Sequence, residues 1–165
     1  MEAAAWGLIG TIVGASASIA TTWLSNRNVY KLQNQKALDE RKERANAFQR
    51  QTLIDLQEAI HDALRLVNRA YIEDQRAYVP DKKWGSNSLT DEVNEGIRLA
   101  NRRVAILIER VSSDVLRVNV KALISSATGV LLARSEDVAR ASMNTTSSTA
   151  DEVLEQIGAT LRQHY

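Results

Sequence analysis

The sequence predicts an all-α protein in which an N-terminal transmembrane helix is followed by a long stalk helix and an up-down antiparallel helical bundle. Three observations lead to this prediction. The chain of 165 residues begins with an uncharged apolar stretch over residues 3–24. Pro80 is its only proline, and glycine is sparse beyond residue 24. Further along, apolar residues recur at steps of three and four, the period of an amphipathic helix, whereas the alternation typical of strands is not sustained.

Residues 3–24 fit a membrane span in length and composition. These 22 residues contain no charge and no proline, and a helix of that length covers roughly 33 Å, enough for the hydrocarbon core of a bilayer. Trp6 and Trp23 lie about 25 Å apart along it, where interfacial aromatic anchors are found. The alternatives are a cleaved signal peptide, although no basic residue precedes the apolar run, and a buried helix of a soluble protein, which is usually shorter.

Basic residues follow the apolar stretch and do not precede it. Arg27 and Lys31 come shortly after residue 24, whereas only Glu2 and the amino terminus come before the stretch. Because excess Lys and Arg hold one end of a span in the cytoplasm, we expect the N-terminus outside and the bulk of the chain inside. Arg27 and Lys31 then join the two tryptophans as interfacial anchors.

Gly10, Gly14, Ser18 and Thr22 recur every four residues and form one line along the predicted helix, here called the small-residue ridge. Small residues at this spacing let two membrane helices approach closely. Such residues are also common in membrane helices generally, but the length of the ridge favours self-association or packing on another membrane helix.

We assign residues 1–25 to the transmembrane anchor, 26–44 to a charged helical stalk and 45–165 to a cytoplasmic helical bundle. Residues 28–44 are polar on all sides, which is typical of a solvated helix or of a helix in an assembly. An apolar stripe then begins, and we expect it to face a core. Its members are Phe48, Thr52, Leu53, Leu56, Ile60, Ala63, Leu64, Val67, Ala70 and Tyr71.

Residues 79–87 form the clearest predicted loop. Pro80 lacks an N–H and clashes with the preceding turn, so we expect the first bundle helix to end there. The tip carries Lys82, Lys83 and Trp84. An exposed tryptophan beside two cations is a candidate contact for a partner; the alternative is that Trp84 packs back onto the end of the bundle.

Three further helices are predicted over residues 90–111, 114–133 and 136–163. Ser88 or Thr90 is expected to cap the first of them. Ser and Asp at 112–114 favour a tight break before the next, the alternative being one long kinked helix. Residues 149–152 match a capping box, which suggests that the last helix restarts there; the sequence leaves open whether the polar tract 144–149 is a loop. The expected core positions are Val93, Ile97, Ala100, Val104, Leu107, Ile108, Val111, Leu116, Val120, Leu123, Ala127, Val130, Leu131, Val138, Ala141, Met143, Leu154, Ile157 and Leu161.

The order of these segments resembles that of widespread, uncharacterised bacterial single-pass membrane proteins with a short helical cytoplasmic domain. The likeness covers a small-residue anchor, a basic exit, a long helix and the sequence VLLARSED at the turn into the last helix. It implies the bacterial inner membrane or a prophage setting, and it implies no catalytic residue.

Residues that carry chemistry are few. The chain has no cysteine and two histidines; His61 lies beside the core stripe and His164 lies near a terminus that we expect to be mobile. Glu58 and Asp62 share a helix face without the partner motifs of a di-metal site. We therefore expect no enzymatic activity, no metal and no cofactor.

The net charge of +1 gives no general attraction to nucleic acid, and we expect none as a partner. The expected partners are the lipid bilayer, a second copy or another membrane helix, and a cytoplasmic protein that the sequence does not identify. The resulting hypothesis is a membrane-anchored, non-enzymatic interaction or scaffold protein that self-associates. The alternative is a membrane-active effector of phage or phage-defence origin whose span oligomerises and perturbs the bilayer, because its serines and threonines make the span unusually polar.

Overall fold

The computed structural model describes the backbone of residues 2–81, 84–85 and 89–165, with their side chains except those of residues 2–6, 8, 9, 12 and 79–81. Within this part of the chain there are four helices and no strand. They are α1 (Glu2–Asp81), α2 (Asp91–Ile108), α3 (Asp114–Leu131) and α4 (Glu136–Gln163). The predicted all-α class is therefore confirmed.

The chain divides into two compact units, Met1–Ala45 and Asn46–Tyr165. In the first unit α1 runs alone, and every side chain described there is exposed. The second unit is a bundle of the rest of α1 with α2, α3 and α4, which confirms the predicted helical bundle. Among the described residues, no helix is both long enough and apolar enough to cross a bilayer. Of the predicted span, the side chains of residues 3–6, 8, 9 and 12 lie outside the described ones.

Hydroxyl side chains begin each of the three later helices. Thr90, Ser113 and Ser135 are the N-caps, and each hydroxyl oxygen accepts a hydrogen bond from the backbone N–H three residues later, at 3.3–3.4 Å. Ser113 thus separates α2 from α3, so the break at 112–114 is confirmed and the single kinked helix is wrong. Ser88, the other candidate cap of α2, lies outside the described residues.

The core of the bundle is built largely from the predicted stripes. The stripe of α2 is buried throughout, and so is most of the stripe of α1 from Thr52 onward. Phe48 is an exception, since it is 53% exposed. The turn between α2 and α3 reaches only to the level of Gln49, whose side chain bonds both Arg110 O and Ser112 N. The phenyl ring one residue earlier is therefore left uncovered.

The polar tract 144–149 is not a loop and the restart suggested at 149–152 does not occur, because α4 is continuous from Glu136 to Gln163. The hydroxyls of Thr145, Thr146 and Ser148 donate to backbone carbonyl oxygens three or four residues earlier, at 2.8–3.1 Å. Their hydrogen-bonding capacity is met inside the helix, so the polar tract does not interrupt it.

The buried face of α4 also differs from the prediction near its start. Val138 and Ala141 are exposed, whereas Ala139 and Thr146 are buried. Small side chains face α3 here because the two helices pack closely: a Cβ at Gly129 would lie 3.7 Å from the hydroxyl of Ser142. Further along, Val153 and Ile157 complete the buried face as larger residues.

Two polar pairs fix the register of α3 against α4. The hydroxyls of Ser126 and Thr146 are 2.9 Å apart, and Asn119 Nδ2 donates to Gln156 Oε1 at 2.8 Å. Thr146 is only 2% exposed, and its hydroxyl also donates to Ser142 O. A slide of one helix along the other would break both pairs and deprive the part-buried Asn119, Ser126 and Gln156 of these partners, which is costly.

We expect Leu123→Ala to lower the free energy of unfolding by about 2–5 kcal/mol, because Leu123 is fully buried in the main core cluster and truncation leaves a cavity. Urea unfolding followed by circular dichroism in detergent measures the change. Leu99→Ala, at a half-exposed position of α2, is the matched control and should cost much less. Equal losses for the two variants would contradict this assignment of the core.

Candidate functional site

The small-residue ridge is fully accessible on α1. Gly10, Gly14, Ser18 and Thr22 are all exposed and share one helix face. A Cβ added at Gly10 or Gly14 would meet no atom within 4 Å. The glycines are therefore not needed for packing within the chain, and the bare backbone along the ridge is open to another helix.

Threonine hydroxyls near the ridge are bonded within their own helix. Thr11, Thr21 and Thr22 each donate from Oγ1 to the carbonyl oxygen four residues earlier, at 2.8 Å. The sequence reading counted Thr21 and Thr22 among the side chains that make the span polar. A threonine within a helix commonly donates its hydroxyl to the carbonyl oxygen one turn earlier. The position of these threonines inside a predicted helix was therefore the signal that could have corrected the reading.

The predicted interfacial anchors are placed as follows. Trp23 and Lys31 are exposed, and the guanidinium carbon of Arg27 lies 5.5 Å from the centroid of the Trp23 ring. This cation–π contact joins an apolar ring to a fixed positive charge one turn later. The side chain of Trp6, the fourth predicted anchor, lies outside the described ones.

The Trp84 side chain packs onto the end of the bundle. Its ring centroid lies 5.7 Å from that of Tyr71 and 5.9 Å from that of Tyr78, with the rings inclined to each other. Gly85 follows with a φ of 69°, a left-handed conformation that glycine adopts without strain. Lys82 and Lys83 lie outside the described residues. The use of this tip by a partner stays a prediction.

A polar cluster that the sequence reading missed joins the C-terminal residues to the start of the α1 segment that belongs to the bundle. Arg50 donates to the backbone carbonyl of His164 and lies 5.3 Å from the ring centroid of Tyr165. His164 Nδ1 is 3.2 Å from Asn46 Oδ1. The backbone and the ring of His164 both contact α1, beside the terminus that the sequence predicts to be mobile. The residues lie far apart in sequence, so no local pattern signals the cluster.

The remaining candidate groups form surface ion pairs or line clefts. Glu58 is exposed and Asp62 is half-buried, and their carboxylates lie 3.6 and 3.8 Å from the guanidinium of Arg103. His61 lies at the rim of a cleft of about 310 Å³ between α1 and α4, above buried Val67 and Ala150. Across the residues that the structure describes, no three His, Cys, Asp or Glu side chains are grouped as metal ligands.

Asp74 was also missed by the sequence reading. Its Oδ1 is buried and has no hydrogen-bond partner. Burial, with the nearby Glu73 carboxylate as a smaller cause, raises the pKa of Asp74 above its usual 3.8. Asp74 continues the spacing of the core stripe after Val67 and Ala70, which was the signal that could have identified it.

Comparison of the chain with models of known protein families, with curated proteins and with solved structures finds no match.

We expect Asp74→Asn to stabilise the protein at pH 7. The pKa of Asp74 is raised in the folded state, so the folded state binds the carboxyl proton more tightly than the unfolded state does. The cost in folding free energy of ionising this carboxyl group therefore grows as pH rises through the folded pKa. The variant should melt at a higher temperature than the wild type at pH 7, and the difference should vanish below pH 3.8. Thermal melts followed by circular dichroism, at pH 7 and below pH 3.8, measure the difference in melting temperature.

The control for this comparison is Asp39→Asn, which removes an exposed carboxylate from the first unit and should leave both melts unchanged. An Asp74→Asn protein less stable than the wild type at pH 7 would mean that the carboxylate has a stabilising role.

Proposed function

We propose that the protein is a membrane-anchored, non-enzymatic interaction protein that inserts residues 3–24 into a bilayer and carries its helical bundle in the cytoplasm. The observation that carries the proposal is the exposure of large apolar side chains on an isolated helix. Ile19 is 71% exposed, and Val13, Trp23 and Leu24 are more than half exposed. Val13 and Ile19 are six residues apart and so lie on different sides of α1. Surrounding lipid would remove this apolar surface from water.

The hydrogen bonds of α1 support the same proposal. In hydrocarbon a polar group has to find its partner within the protein. Thr11, Thr21 and Thr22 already donate to carbonyl oxygens of their own helix. The span can therefore enter lipid without leaving these hydroxyl groups unpaired.

The direction of insertion is proposed from the charges that follow the span. The contact between Arg27 and Trp23 joins an aromatic ring to a cation, a combination that suits the cytoplasmic interface we propose for them. Lys31 follows one turn later on an exposed surface, where it can meet anionic lipid headgroups. We propose the bacterial inner membrane as the location, on the resemblance described above.

The proposed activity is association through the small-residue ridge. Open space at Gly10 and Gly14 leaves room for a second helix to approach the backbone. A second copy of the chain is the proposed partner within the membrane, and another membrane helix could take its place. A cytoplasmic protein would then bind a surface of the bundle that the anchor holds at the membrane.

A membrane-perturbing effector is the second candidate, and it draws on the polarity of the span. Ser16 and Ser18 are exposed, but the hydroxyls of Thr21 and Thr22 are bonded within α1. Part of the polarity is thus unavailable to line a water-filled path, which favours the interaction protein. Release of a trapped dye from vesicles that contain the purified protein would favour the effector instead.

The topology is testable because the chain has no cysteine. We expect Glu2→Cys to be labelled by a membrane-impermeant maleimide in intact cells, because the N-terminus faces outward. Ser148→Cys, at an exposed position of α4, should be labelled only after lysis. Both variants should remain in the membrane fraction after carbonate extraction. Recovery in the soluble fraction would contradict the anchor, and the reverse labelling pattern would contradict its direction.

Bulky side chains substituted at the glycines test the small-residue ridge. We expect Gly10→Leu with Gly14→Leu to reduce self-association in membranes strongly, because the added side chains hold the two backbones apart. Chemical crosslinking in isolated membranes measures the fraction of dimer and higher species. Since neither Cβ meets an atom of the chain, the melting temperature of the bundle should not change.

The matched control is Ser16→Leu with Ala20→Leu, which places two leucines at the same spacing on the opposite side of α1. This control should associate as the wild type does. If the ridge and control variants behave alike, the ridge is not the contact surface.

A further inference from the structure

The cleft between α1 and α4 is a space that the bundle leaves open beside its core. Its volume is about 310 Å³, and small-molecule sites in proteins begin at roughly 300 Å³. Its apolar lining comes from both helices and is buried or half-buried; the residues are Leu64, Val67, Met143, Ala150 and Leu154. Contact with this lining would remove the apolar part of a bound molecule from water.

The cleft exists because α4 presents short side chains toward α1 at this level. Ser147 and Ala150 line it from α4 and are too small to fill it. The hydroxyls of Ser126 and Thr146, 2.9 Å apart, hold this part of α4 against α3. Helix α4 therefore cannot close on α1 without breaking its packing on α3, and the cleft is already formed before any molecule enters it.

Polar side chains surround the apolar lining, and all four are exposed. They are His61 and Asn68 from α1 and Ser147 and Asp151 from α4. Within the part of the chain that the structure describes, none of the four takes part in a hydrogen bond or an ion pair. Ser147 differs in this from Thr146 and Ser148, whose hydroxyls donate to carbonyl oxygens of α4. The four polar groups are thus available to a molecule in the cleft.

The charge of the cleft indicates which class of molecule it suits. Among the described residues that line it, Asp151 is the one acidic residue, and none is lysine or arginine. A carboxylate without an ion-pair partner attracts a cation, and the attraction is stronger beside apolar surface than in bulk water. An anion would meet the same carboxylate as a repulsive charge.

His61 lies toward the same end of the cleft as Asp151. Arg50 of α1 contacts His164 at the end of α4, so the two helices run antiparallel within the bundle. His61 is the lining residue of α1 nearest to Arg50, and Asp151 and Leu154 are at the end of the α4 lining nearest to His164. A neutral imidazole has one ring nitrogen that accepts a hydrogen bond, which suits the N–H groups of an amine held by Asp151.

We propose that this cleft binds a small organic cation, a molecule in which an ammonium group is joined to an apolar body. The ammonium group pairs with the Asp151 carboxylate and donates to His61. The apolar body lies on Leu64 and Met143. The proposal goes beyond the membrane function and stands on the bundle alone, so its outcome does not depend on whether residues 3–24 enter a bilayer.

Protection of a single thiol from a maleimide tests the proposal on the full chain in detergent. The chain has no native cysteine, so Ser147→Cys places its one thiol in the cleft. The probe is phenethylamine, an ammonium group on a short apolar body. With a dissociation constant of about 1 mM, about 10 mM of the amine should slow the labelling of this thiol roughly tenfold. The matched control is Ser148→Cys, exposed on the next residue and outside the cleft lining, and its labelling rate should not change.

Two analogues and one further variant test the role of charge. Phenethyl alcohol and hydrocinnamate carry a neutral and a negative group on the same apolar body, and both should protect Ser147→Cys much less than the amine does. Adding Asp151→Asn to Ser147→Cys should remove the advantage of the amine over the alcohol. Asp151 is exposed, so the melting temperature of the bundle should stay the same.

The opposite results overturn the proposal. If the amine leaves the labelling of Ser147→Cys unchanged, or slows Ser148→Cys to the same extent, the cleft is not its binding site. Equal protection by the amine and the alcohol, or protection by the amine that survives Asp151→Asn, would overturn the assignment of a cation.

Discussion

The bundle depends on the burial of one continuous stripe along the second half of α1. Leu53, Leu56 and Ile60 are fully buried, and the three later helices supply the residues that cover them. The stripe ends where Asp74 takes the next core-facing position, with a carboxylate oxygen that has no partner. Apolar burial is the main favourable term in folding, so the length of this stripe sets how much of α1 the other three helices cover.

Close packing of α3 on α4 is the second constraint, and it is achieved with small and hydroxyl-bearing residues. Gly129 and Ser142 allow the approach, and Thr146 bonds Ser126 across the contact. The buried hydroxyl also donates to its own helix. Polar groups in this contact therefore specify the register at little cost, because each has a partner.

Exposed apolar and small residues differ between the two units of the described chain. In the first unit, the small-residue ridge leaves open space around the backbone at Gly10 and Gly14. Membrane helices associate through close van der Waals approach of such small residues. In the bundle, the exposed side chains of α3 include the larger Val115 and Val118.

The sequence by itself determined the helical class, the break at 112–114 and most of the core, because these follow from local chemistry. A hydroxyl at Ser113 or Ser135 satisfies the N–H groups of its own first turn, and a period of three and four places apolar residues on one face whatever the partner is. Only the tertiary structure decided the cases in which a residue type is compatible with two environments, such as helix or loop and core or surface. Thr146 could have belonged to a loop, but packing on α3 keeps it helical. Phe48 could have been core, but its side chain is 53% exposed, and the turn between α2 and α3, which is distant in sequence, contacts Gln49 instead.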